Sequence, residues 1–239
     1  MIIKSLSDEM RDFEDNYADI LSRCERAAHK SGRKIEDIIL LAATKTKGTD
    51  VINYAISKGI AAIGENRAQE LLSKYDFLNL NGVKTHFIGH LQSNKVKQIC
   101  DKVDMIESVH SVKIARVIGE TAQAIGKTMD ILLEVNIGGE ESKSGFASSE
   151  IMDACCEIAQ INGVKVCGLM TIPPICENAE KNRKYFAELQ QLFIDIRSKN
   201  IDNINMLYLS MGMSNDFDVA IEEGANIVRI GTALFGKRS

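Results

Sequence analysis

The chain has 239 residues, 45% hydrophobic and 26% charged, which is the make-up of a folded globular protein. Its net charge of −4 and lack of a long basic run argue against a nucleic-acid surface. No apolar stretch reaches the roughly 20 residues that span a membrane, and the N-terminus shows no signal-peptide core, so the cytoplasm is the expected compartment.

In chain order, residues 1–34 are expected to form a helical extension packed on the rest of a single domain covering 1–239. Leu6, Met10, Phe13, Tyr17, Ile20, Leu21 and Cys24 recur there near three-four spacing. Strands are then expected over residues 38–43, 60–64, 85–89, 105–108, 131–136, 164–170, 206–210 and 226–230. Helical patterns fall between and after them, over 49–57, 66–75, 93–102, 111–125, 148–160, 177–199 and 216–223. Alternation of this kind indicates a parallel sheet, and eight units in this length fit an α/β fold of the (β/α)8 TIM-barrel type. An open doubly wound sheet is the competing architecture. The six cysteines show no CxxC pair and no metal spacing, so they are expected to be small buried residues, with no metal and no disulfide.

In such barrels ligands gather at the carboxyl ends of the strands. Lys45 follows the apolar run 38–43 there, either as a solvated loop lysine or as a partly desolvated amine able to form a Schiff base. The last two strands are followed by Ser210-Met211-Gly212-Met213-Ser214 and by Gly231-Thr232-Ala233. Hydroxyls and closely approaching backbone amides in these loops suit a phosphate, although Gly231-Thr232 also reads as a turn with a helix cap. Arg229 would bring a permanent guanidinium to the site floor and, facing a pyridine ring, could only donate to its nitrogen. His86 and His90 are weaker candidates, and the Gly138–Gly145 loop has no nucleotide-binding spacing.

Ala43-Thr44-Lys45-Thr46-Lys47, Gly64-Glu65-Asn66, the 86–95 segment starting at His86, Ser142-Lys143-Ser144-Gly145, Gly168-Leu169-Met170, Leu209–Ser214 and Val228–Thr232 occur in that order. Together they closely resemble the pyridoxal phosphate homeostasis protein family, related to the N-terminal barrel of alanine racemase. The resemblance implies pyridoxal 5′-phosphate held as an aldimine on Lys45. It implies phosphate contacts at Ser210, Gly231 and Thr232 with the neighbouring Met211 and Gly212 backbone. It places Arg229 against the pyridine nitrogen, Asn66 beside the ring, and Met170 and His86 as lining of second rank. Thr44 and Gly48 depart from the family's usual Ser and Pro. The role implied is cofactor binding and vitamin B6 and amino-acid homeostasis without established catalysis and with no catalytic residue. A monomer passing the cofactor to pyridoxal phosphate-dependent apoenzymes is the expected setting, and Lys47, Lys143 or Lys237 could assist release. In the related racemases a second domain and a partner subunit supply the opposing base, and this chain stops at Ser239. Two other readings stay open: a racemase-type enzyme with His86 or Lys143 as base, and an aldolase using Lys45 on a sugar phosphate.

Overall fold

Eight parallel strands close on one another in chain order: β1 (Ile39–Ala43), β2 (Ala62–Glu65), β3 (Lys84–Phe87), β4 (Met105–Val109), β5 (Met129–Glu134), β6 (Val164–Met170), β7 (Ile204–Ser210) and β8 (Ile227–Ile230). The computed structural model describes residues 5–236. Helices α1 (Leu6–Lys30), α2 (Thr49–Ser57), α3 (Ala68–Tyr75), α4 (Ser93–Ile99), α5 (Val112–Ala124), α6 (Ile151–Ile158), α7 (Arg183–Ser198), α8 (Phe217–Glu222) and α9 (Thr232–Phe235) complete the (β/α)8 barrel. Lys237 and the first four residues of the expected extension lie outside the described residues.

Most of the strands are largely apolar because both of their faces are covered, with single polar residues such as His86, Glu107 and Arg229 set among them. Outward residues such as Ala42, Ile63, Phe87, Ile106, Leu133 and Val228 pack under the helices in one continuous core. Inward residues form a smaller cluster around Leu41, Ala62, Met105, Leu132, Met170 and Ile227. Fully burying one such side chain contributes about 1.5–3 kcal/mol. Close approach is sharpest at Gly168, where a Cβ would lie 1.8 Å from the Tyr208 carbonyl oxygen; the β5–β6 and β6–β7 registers both shift beside this residue.

Helix α1 starts at Ser5, whose hydroxyl accepts from the Asp8 amide at 3.2 Å. Its buried stripe is Phe13, Ile20, Cys24, Ala27 and Ala28, and it packs across α2, α8 and α9. Leu6, counted in the sequence stripe, is exposed. The pattern over 177–199 resolves into a 3-10 turn, Ala179–Asn182, followed by α7, because the Asn178 side chain caps the turn through the Glu180 amide. Four cysteines are buried as expected, whereas Cys156 is exposed because it faces away from Cys155 on α6. Among the described residues no helix is long and apolar enough to cross a membrane.

Candidate active-face site

Lys45 stands two residues beyond β1, half-buried, in the turn Thr44–Lys47 closed by a 3.1 Å bond from the Lys47 amide to the Thr44 carbonyl. Thr46, next in the turn, has φ +66°, a conformation that a β-branched residue adopts only when its surroundings hold it there. A buried cluster does so. Lys74 on α3 donates to the Thr44 carbonyl at 3.0 Å, to Glu65 at 3.0 Å and to Glu70 at 2.6 Å. Thr44 Oγ1 donates to Glu65 at 2.7 Å, and Glu70 accepts the Thr46 amide. Burial raises the Glu65 pKa, with Thr44 and Lys74 opposing.

Beside β1, the neighbouring strand β8 brings up Arg229, and Gly231 and Thr232 follow it. The loop after β7 is joined to this segment twice: the Arg229 amide donates to the Gly212 carbonyl at 3.0 Å, and Ser214 Oγ accepts from the Ala233 amide at 3.0 Å. Gly212 has φ +90°, and a Cβ there would lie 2.5 Å from that of Ala220, so this turn requires glycine. Lys45, Asn66, Ser214, Arg229, Gly231 and Thr232 line one cavity of about 490 Å3.

Beneath that cavity runs a polar column inside the barrel. His86 Nδ1 lies 2.6 Å from Glu107 Oε1, Ser210 Oγ donates to Glu107 Oε2 at 2.6 Å, and Arg229 donates to Ser210 Oγ and, at 2.7 Å, to the Thr171 carbonyl. Burial works against ionisation of Glu107, but His86, Arg229 and Ser210 outweigh it and its pKa is lowered. Burial also pulls Arg229 below its ordinary value against Glu107, Glu134 and Asp216, and an arginine stays charged there. Glu134, at the end of β5, has no such donors among the described residues; burial pushes its pKa up to about 7, with Arg229 opposing.

Five of the nine residues named from sequence therefore line the cavity: Lys45, Asn66, Arg229, Gly231 and Thr232. Ser210 is not brought to the cavity, because its hydroxyl is fully buried and engaged by Glu107 and Arg229. Met170 belongs to the inner barrel cluster and Met211 to the outer core. Gly212 shapes the loop from behind. The β7-loop hydroxyl that does line the cavity is Ser214, four positions further on. His86 sits within the barrel and His90 pairs with Ser144 at 2.9 Å. Lys47 and Lys143 are both tied to carbonyls, of Phe235 at 2.9 Å and of Pro173 at 3.1 Å. Sequence reasoning missed Glu107, whose signal was a charge in the middle of an apolar strand, and Glu134, which closes another.

The chain matches the family model described as alanine racemase, N-terminal domain, over residues 18–239. A pyridoxal phosphate homeostasis protein of Aquifex aeolicus is 43% identical over 219 residues, covering 92% of this chain and 95% of the relative. A solved protein of Bifidobacterium adolescentis, described as unknown, is 36% identical with a TM-score of 0.91 and 98% of each chain covered. PipY of Synechococcus elongatus, solved with PLP bound, is 29% identical with a TM-score of 0.78, covering 90% of this chain and 100% of PipY. With this identity maintained along nearly its whole length, the chain belongs to the pyridoxal phosphate homeostasis protein family.

Proposed function

We propose that the protein binds pyridoxal 5′-phosphate in the 490 Å3 cavity, attaches it covalently through Lys45, and serves intracellular vitamin B6 and amino-acid homeostasis without catalytic turnover. The observation that carries this reading is the convergence of Lys45, Asn66 and the Arg229–Thr232 segment, from three separate parts of the chain, on one cavity.

The residues fit the group. When bound, the cofactor supplies an aldehyde that bonds to a primary amine and an electron-poor ring. Lys45 offers that amine from a turn whose backbone is held by Glu70 and Lys74 and whose Thr44 hydroxyl is held by Glu65. Asn66 Oδ1 is buried with no hydrogen-bond partner among the described residues, so the amide has capacity left for a ligand. Thr232 and Ser214 provide hydroxyls for a phosphate, and Gly231 packs so closely that a Cβ would lie 3.3 Å from the Ala43 carbonyl. Ile88 and Ile172 close the wall against water.

Arg229 favours a weak electron sink. A guanidinium facing the pyridine nitrogen donates to it and keeps it unprotonated, whereas cofactor enzymes that need a strong electron sink set a carboxylate there. The Ser210–Glu107 column fixes Arg229 in that charged, donor-only role. The proposal includes a cytoplasmic monomer that yields the cofactor to apoenzymes.

Borohydride reduction followed by mass spectrometry tests the reading. A pyridoxyl-phosphate mass on Lys45, absent in Lys45→Ala, is the expected result; a protein indifferent to the cofactor would overturn it. Deuterium exchange at Cα of a panel of amino acids, above the rate with free cofactor, would overturn the non-catalytic part.

A further inference from the structure

A second, smaller cavity of about 220 Å3 opens on the same barrel face and shares Asn66, Ile88 and Ile172 with the cavity of Lys45. Its remaining wall includes Glu134, His90, Lys143 and Ser144. Nothing in the proposed cofactor contacts uses these four residues.

Two polar atoms here lack partners. Glu134 Oε2 and Asn66 Oδ1 are both buried with no hydrogen-bond partner among the described residues. Asn66 Oδ1 is an acceptor, as is Glu134 when ionised, and among the described residues no lysine or arginine forms an ion pair with Glu134, so a ligand that satisfies both brings N–H or O–H donors. The rest of the wall has the opposite character. Lys143 is held in place by the Pro173 carbonyl at 3.1 Å and by Glu140, and Ser144 is held by His90 at 2.9 Å. An ammonium and a hydroxyl fixed in this way suit an anionic group. Acceptors on one part of a small cavity and donors on another match a zwitterion.

We propose that this cavity is a subsite for a small α-amino acid, with its ammonium toward Glu134 and Asn66 and its carboxylate toward Lys143 and Ser144. The shared wall at Asn66 sets the subsite next to the cavity that Lys45 lines. That adjacency gains its meaning from the cofactor reading above, whereas the binding itself does not depend on it. The Glu134 pKa of about 7 agrees with the geometry: an ammonium is the kind of neighbour whose absence leaves this carboxyl hard to ionise.

Calorimetric titration of the cofactor-free protein with L-alanine, ethylamine and acetate tests the subsite. L-alanine is expected to bind saturably, ethylamine more weakly and acetate weakest. Glu134→Gln should lower L-alanine affinity by about tenfold or more, the loss typical of a hydrogen bond to a charged group, at an unchanged thermal midpoint or a higher one. Lys143→Met should weaken L-alanine while sparing ethylamine. Asn66→Ser gives an independent reading should the Glu134 variant fail to fold. The inference is overturned by a lack of saturable L-alanine binding, by wild-type L-alanine affinity in both variants, or by preference for Nα-acetyl-lysine, which would assign the cavity to a protein side chain. Because no cofactor is present, a negative result leaves the Lys45 trapping experiment free to judge the cofactor reading separately.

Discussion

Glu107 and Glu134 stand on neighbouring strands, and their surroundings drive them in opposite directions. Glu107 has His86, Ser210 and Arg229 around it and is held below the ordinary carboxyl range. Its stabilising ionisation is present above the ordinary carboxyl pKa and is lost as pH falls through the lowered folded value. Glu134 is raised from 4.5 to about 7, so the folded protein binds its proton more tightly than the unfolded chain does. Stability of the cofactor-free protein should therefore fall by about 3 kcal/mol as pH rises from 4.5 to about 7 and then level off. Denaturant titrations across that range should show the slope, and Glu134→Gln should remove it; an unchanged slope in the variant would assign it elsewhere. The two serines of the β7 segment make a second contrast. Ser210→Ala deletes the bridge between two buried charges and should cost about 1.5–3 kcal/mol in thermal or chemical unfolding. Ser214→Ala removes the acceptor of the Ala233 amide, should cost less, about 0.5–1.5 kcal/mol, and should weaken cofactor retention, measured by equilibrium dialysis. Sequence alone could not make this distinction. It located a serine at the end of β7, but whether the last strand residue faces into the barrel or into the loop depends on register. Here Ser210 still pairs with Met170 and Ile227 inside the barrel.

At the scale of elements, the strand–turn–helix unit that presents Lys45 is stabilised from outside itself. The turn belongs to the β1–α2 connection, yet its anchors Glu65, Glu70 and Lys74 come from β2 and α3. The strand end at Glu65 and the helix over 66–75 were readable from spacing. Their closure onto Thr44 was not, because the barrel brings β2 beside β1 only after folding. Lys74 is 8% exposed, and Lys74→Met would leave Glu65 and Glu70 facing each other without a cation. Breaking a buried pair in this way costs about 3–5 kcal/mol. The expected outcome has two parts: a drop of that size in chemical unfolding, and borohydride labelling that spreads from Lys45 to other lysines as the turn loosens. Labelling that stays confined to Lys45 in the variant would show that the turn keeps its shape without Lys74.

Over the whole molecule, the N-terminal helix is joined to the site through the last strand's own extension. Phe13 on α1 is fully buried and stacks on Phe235 of α9 at 5.7 Å and on Tyr17 at 5.4 Å. Asn16 donates to the Leu234 carbonyl at 3.1 Å, and Lys47, two residues from Lys45, donates to the Phe235 carbonyl at 2.9 Å. Helix α9 begins at Thr232, so α1 and the Lys45 turn grip the same four-residue element that carries a cavity-lining hydroxyl. The eight-fold alternation made the barrel legible, because most strands are largely apolar and nearly every helix keeps its period. The same periodicity marked α1 as amphipathic but could not say which helices it covers. Phe13→Ala should cost about 3–5 kcal/mol in the cofactor-free protein, the usual loss on emptying a buried aromatic site. If α1 served stability alone, cofactor affinity measured well below the unfolding transition would be unchanged. Since Phe235 also loses its stacking partner one turn from Thr232, affinity is expected to fall as well, through faster dissociation of the phosphate end. Thr232→Val in the Phe13→Ala background then separates the two effects: the double variant should lose little more affinity than Thr232→Val alone, because both changes act on one contact.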